Sequence, residues 1–196
     1  MQEARSFFDH LGFIPFEGTD SQSGKYFSTI SYDSSMGRDS SVTLFYTDKG
    51  LVENIIVRPE ITKQTEGSPR EWIAYSQETL IKKFGKPSDV RFHLYWGPNH
   101  STEIIMVMYF NDYDLIIEYL GNNMVPDQPH SPLLCPLTAR FEHVRLWMGP
   151  YPPILPSFDA VSLEAVTSLT MDQFTQLMMG DPKQACFTID GDMFPN

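Results

Sequence analysis

The sequence predicts an α+β protein built from two helix-then-antiparallel-meander units, followed by a Pro-rich C-terminal extension tied by a disulfide. Three observations predict it. An apolar stripe at helical spacing precedes a set of short β-branched and aromatic runs twice over, and tight polar turns separate those runs. Eight of the fifteen prolines then fall between Gly121 and Pro156.

The first unit spans residues 1–61. Ala4, Phe7, Phe8 and Leu11 recur at i, i+3, i+4 and i+7, one face of a helix that Gly12 can close. Tyr26 to Tyr32, Val42 to Thr47 and Leu51 to Val57 then read as strands, the last two joined through Asp48-Lys49-Gly50.

The second unit spans residues 70–122. Ser76 caps a short helix that turns Leu80, Ile81 and Phe84 inward and ends at Gly85 and Pro87. Val90, Phe92, Leu94 and Trp96 alternate with Arg91, His93 and Tyr95, the period of a strand. Gly97-Pro98-Asn99 turns the chain, and strands Glu103 to Phe110 and Leu115 to Leu120 flank Asn111-Asp112-Tyr113-Asp114. Phe45-Tyr46 before Leu51-Val52-Glu53 looks like Met108-Tyr109 before Leu115-Ile116-Ile117-Glu118. Two readings stay open: an internal duplication, or the common look of any two antiparallel hairpins.

The extension, residues 123–196, is read as extended loop because proline cannot donate to a ladder. It holds one strand, Phe141 to Trp147, and one helix packed on the same core. Thr170 and Gln173 make a capping box, Phe174, Leu177 and Met178 supply the stripe, and Gly180-Asp181-Pro182 stops it. Cys135 and Cys186 bracket these elements. A bond between them is expected, worth about 4 kcal/mol by chain entropy and implying an oxidising compartment. The other readings are two buried thiols, or a nucleophile, for which neither a Cys-x-x-Cys spacing nor an activating neighbour of Cys135 is evident.

Composition narrows the partners. With 14 Lys and Arg against 25 Asp and Glu the net charge is −11, which repels nucleic acid and anionic lipid alike. No stretch reaches the ~18 apolar residues of a bilayer span. The opening Met1-Gln2-Glu3 lacks a basic-then-apolar leader and the first helix lacks a capping residue, as expected of a chain from which a leader has been removed.

Motifs of chemistry are absent or incomplete. Gly18 to Tyr26 has five residues between its glycines where a phosphate loop has four, and Tyr26 replaces the Mg²⁺-binding hydroxyl. Asp190-Gly191-Asp192 with Asp181 lacks the ligand ladder of a Ca²⁺ loop. His10, His93, His100, His130 and His143 show no metal-ligand pair, and no Gly-x-Ser-x-Gly elbow occurs. No catalytic residue, metal or cofactor is therefore expected. Rigid amphipathic rings at the turns Tyr95-Trp96-Gly97-Pro98 and Trp147-Met148-Gly149-Pro150-Tyr151 make Tyr95, Trp96, Trp147 and Tyr151 the candidate binding residues; the alternative is that both tryptophans are core.

The run Leu80-Ile81-Lys82-Lys83-Phe84-Gly85-Lys86-Pro87-Ser88-Asp89-Val90 resembles the helix-to-strand junction of small bacterial envelope lipoproteins of the SmpA/OmlA type. That architecture is shared with the β-lactamase inhibitor protein, which holds two such units in tandem. The stretch from Cys135 through Leu169-Thr170-Met171-Asp172-Gln173-Phe174 to Cys186-Phe187 is similar to the tails of exported bacterial proteins. Aromatic-rich strands without a catalytic constellation, together with the expected disulfide, point to an exported, non-enzymatic protein- or peptide-binding module of the bacterial cell envelope or extracellular space. A cytoplasmic address is the alternative. As to function, the alternatives are a hydrolase drawing carboxylates from Asp112, Asp114, Glu103 or Glu118 at a strand end, and a secreted inhibitor or structural surface protein.

Overall fold

Alternating apolar and polar residues draw more than half of the described residues into strands in the computed structural model. The structure describes residues 13–22, 25–34, 41–58, 75–96, 102–121, 131–137, 141–149, 160–181 and 183–194. The expected first helix, at Ala4 to Leu11, lies outside the described residues.

Four strands open the chain as a meander: β1 Phe13–Gln22, β2 Lys25–Ser34, β3 Ser41–Tyr46 and β4 Val52–Arg58. The last three match the expected strands, and β1 is additional. Pro15, Gly18 and the polar run Thr19-Asp20-Ser21 disguise it as loop, yet ten cross-strand pairs hold it to β2. Gly50 N–H donates to the Thr47 carbonyl at 2.8 Å to close the β3–β4 turn. Phe45 faces Asn54 and Tyr46 faces Val52, so Glu53 bulges from the ladder.

The second meander is preceded by α1, Gln77–Phe84, whose Ser76 cap accepts from the Thr79 N–H at 3.3 Å. Its strands are β5 Asp89–Trp96, β6 Thr102–Phe110 and β7 Leu115–Gly121, with a 3₁₀ turn at Asn111–Tyr113. Short pieces follow: β8 Leu133–Leu134, β9 Phe141–Met148, β10 Val161–Ser162, α2 Leu163–Val166, α3 Met171–Met178 and β11 Phe187–Thr188. Both expected capping-box bonds of α3 are present.

The sheet runs β1-β2-β3-β4-β9-β7-β6-β5-β10 with every neighbour antiparallel, and β8 pairs with β11 separately. The protein is thus α+β with an antiparallel sheet. The strand expected alone within the Pro-rich stretch sits at the centre, where β9 pairs with β4 on one side and with β7 on the other.

Alternation puts Val90, Phe92 and Leu94 of β5, Ile104, Met106 and Met108 of β6, Ile117 and Tyr119 of β7, and Val144 of β9 on one face, all buried. Over them pack Leu80 and Ile81 of α1, Leu163 and Val166 of α2, Phe174 and Met178 of α3, and the β8–β11 ladder. Phe187 stands between sheet and helix, with ring centroids 5.9 Å from Phe92 and 6.1 Å from Phe174. Burying each such ring contributes roughly 2 to 3 kcal/mol.

Cys135 and Cys186 are bonded, one step beyond the Leu134–Phe187 pair, with their Cα atoms 4.1 Å apart. Among the described residues no helix is long and apolar enough to cross a membrane. Opening the Cys135–Cys186 loop with Cys135→Ala and Cys186→Ala together is predicted to lower unfolding free energy by about 4 kcal/mol, read by urea titration.

Tyr119 is wholly buried, and its hydroxyl donates to the Tyr75 carbonyl at 2.9 Å. Burial holds its phenol well above the ordinary 10.0. The unfolded phenol ionises near that ordinary value, so the folded chain keeps this contribution below it and loses it as pH rises toward the raised folded value. Tyr119→Phe should therefore cost about 1 kcal/mol at neutral pH and flatten the alkaline limb of a stability-versus-pH series.

Candidate functional site

Of the four expected aromatic residues, the structure describes the side chain of Trp147. Tyr95 and Trp96 close β5, with side chains outside the described residues, as is the whole of Tyr151. Trp147 lies in β9, half-buried against Ile56 and Phe45, its ring centroid 5.9 Å from that of Phe45. Successive cross-strand pairs carry the row of Trp147 through Ile116 and Tyr109 to Asp89. Tyr95 is six residues farther along β5, roughly 20 Å at ~3.3 Å per residue.

Around the Trp147 end two chain reversals and the end of β9 converge. Asp114 takes a left-handed conformation, φ 47°, to leave the 3₁₀ turn, and its carbonyl accepts from the Gly149 N–H at 2.9 Å. Gly149, at φ +132°, lies so close to β4 that a Cβ would stand 1.8 Å from Asn54 Oδ1 and 2.2 Å from the Glu53 carbonyl. Only glycine lets the end of β9 pass there. Met148 in turn pairs with Ile55 of β4 and Leu115 of β7.

This end carries exposed apolar side chains. Leu51 is 64% exposed, Tyr113 51%, Met148 41% and Val52 37%. The pairs Tyr46–Val52, Leu44–Ile55 and Ile55–Met148 put Val52 and Met148 on one face, because the Glu53 bulge restores the phase. Tyr113 sits edge-on to Phe84 of α1 at 5.2 Å. Asp48, Asp112 and Asp114 are exposed around these side chains, with Lys49 beside them. Sequence reading overlooked Leu51, Val52 and Met148. The signal was there in an apolar pair directly after a tight turn, where hairpins ordinarily place polar residues.

On the face of the sheet opposite the helices lies a polar row. Glu118 is buried, and its carboxylate pairs with Arg145 across the β7–β9 ladder at 3.1 Å. Asp89 binds Arg91 at 2.7 Å, and the guanidinium stands 5.7 Å from the centre of the Tyr109 ring. The hydrogen bond to Asp89 raises the Arg91 pKa against the cost of burial. Burial raises that of Tyr109, with Arg91 pulling it down.

The carboxylates weighed for acid–base chemistry lie on β6, on β7 and in the turn between them. Asp112 and Asp114 are exposed in the turn, Glu118 lies within β7, and the Glu103 side chain falls outside the described residues. Among the described residues no three His, Cys, Asp or Glu side chains gather as metal ligands. Asp190 caps the last 3₁₀ turn by accepting from the Asp192 N–H at 3.1 Å. An open dish of about 360 Å³ lies beside α3, lined by Leu169, Gln176, Leu177, Asp181 and Gln184 among others.

Neither family models, nor curated proteins, nor solved structures yield a match to this chain.

Removing the cation of the Glu118 pair leaves a buried carboxylate without its cross-strand charge. Arg145→Met should cost about 3 kcal/mol at neutral pH, and adding Glu118→Gln should recover a third or more of it; a double-mutant cycle by urea unfolding measures the coupling.

Proposed function

We propose that this chain is an exported, non-enzymatic module that binds a protein or peptide through the turn end of its sheet. One observation carries the reading: Leu51, Val52, Tyr113 and Met148 stand exposed together where the β3–β4 turn, the β6–β7 turn and the end of β9 converge. Exposed apolar side chains rimmed by charge are the makings of a recognition surface. The rim is acidic, with Asp48, Asp112 and Asp114 against Lys49, and the whole chain carries −11. The partner is accordingly an apolar segment flanked by Lys or Arg, and a polyanion is disfavoured.

The Cys135–Cys186 bond supports an address outside the reducing cytosol, in the cell envelope or beyond it. The tandem arrangement is part of the same proposal. Each side of β9 is an antiparallel meander, and the β3–β4 and β6–β7 reversals lie at the same end of the sheet. On this reading the Pro-rich extension supplies the strand that splices the two units.

Panning the chain against a random-peptide library tests the proposal. Enriched peptides should combine apolar residues with Lys or Arg. They should bind Leu51→Asp and Met148→Asp variants at least about 30-fold more weakly, the scale of a lost anchor, and Leu133→Asp unchanged. Peptides indifferent to both substitutions overturn the reading, as does turnover of a hydrolase substrate that Asp112→Asn abolishes.

A further inference from the structure

The chain has two cysteines, and the Cys135–Cys186 bond takes both, so no free thiol is left. An oxidant of the hydroperoxide class ordinarily attacks a thiolate first. Here the most readily oxidised groups are thioethers, and access decides among them. Of the described methionines, Met106, Met108 and Met178 are fully buried and Met171 is half-buried, whereas Met148, Met179 and Met193 stand exposed.

Met179 caps the end of α3, and Met193 belongs to the last 3₁₀ turn. The setting of Met148 is different. It shares the turn end with the exposed Leu51, Val52 and Tyr113, and its strand is paired on both sides, with Ile55 of β4 and Leu115 of β7. Two ladders and the crowded Gly149 corner fix its main chain while its side chain meets solvent. A change confined to the sulfur therefore alters the surface and leaves the sheet in place.

We propose that Met148 is an oxidation site at which a hydroperoxide weakens docking at the turn end, an inference that rests on the binding role given to that end. The sulfur lone pair takes the terminal oxygen of the hydroperoxide. An S–O bond forms as the O–O bond breaks, and the hydroperoxide proton passes to the departing oxygen, which leaves as water or an alcohol. The thioether is oxidised to a sulfoxide, and the peroxide is reduced. The product is polar and has to be stripped of water before an apolar segment can cover it, with no hydrogen bond offered in return. The loss falls chiefly on the dissociation rate.

The test treats the folded full chain with hydrogen peroxide and follows each methionine by peptide mapping and mass. Met148 should gain one oxygen atom together with Met179 and Met193, while Met106, Met108 and Met178 react at least about tenfold more slowly. A fluorescent peptide, taken from those enriched on the untreated chain, should bind the treated chain about tenfold more weakly, with Tm unchanged. A double variant, Met179→Leu with Met193→Leu, should lose affinity on treatment as the parent does. Met148→Leu, whatever affinity it starts from, should bind equally before and after. If the treated parent binds as tightly as the untreated one, or if Met148→Leu loses affinity as the parent does, the inference fails and the docking reading stands. A fall in Tm that tracks the lost affinity also sinks it, since the fold would then be the target. If the untreated chain binds no peptide, both fall together.

Discussion

The insertion of β9 between β4 and β7 is the constraint on which the sheet depends. Without it each meander ends in a row of unsatisfied N–H and C=O groups. Its side chains work on both faces. Val144 enters the helix-covered core, while Arg145 reaches Glu118 and Trp147 packs on Phe45 and Ile56. One strand therefore holds the two halves by main-chain pairing, by apolar contact and by an ion pair.

The disulfide is best understood beside this strand. Cys135 and Cys186 enclose β9, α2 and α3 in a single covalent loop. The staple lies next to the β8–β11 ladder, whose Leu134 and Phe187 enter the main core beside Ala185 and Ile189. Restricting that loop in the unfolded chain favours the tail's placement under the sheet and β9's placement within it. The Gly149 corner completes the arrangement, because the carbonyl of Asp114 and the backbone of β4 meet there at a distance that admits no side chain.

Much of this fold was legible as local pattern. Alternation marked β2 to β7 and β9, the Ser76 cap and the Thr170–Gln173 box marked two helix starts, and turn chemistry marked both hairpins. What escaped was governed by distance along the chain. β1 carries Pro15 and Gly18, which argue against a strand until pairing with β2 overrides propensity. The central position of β9 follows from two ladders formed with residues about 30 and 90 positions away, which no local window registers. The candidate site was less legible than the fold. Trp147 was singled out for its ring and proves half-buried, whereas the exposed Leu51 and Met148 beside it looked like ordinary strand residues. The Glu118–Arg145 pair likewise became visible only through cross-strand register.

The late position of β9 in the chain has a consequence for biogenesis. A polypeptide emerging from the ribosome or a translocation pore delivers β4 and β7 well before the strand that joins them. Until residue 148 arrives, two apolar ribbons have bare flanks in the same compartment, open to pairing with each other or with neighbouring chains. The order of synthesis therefore sets the order of closure, and oxidation of the cysteines has to wait for Cys186.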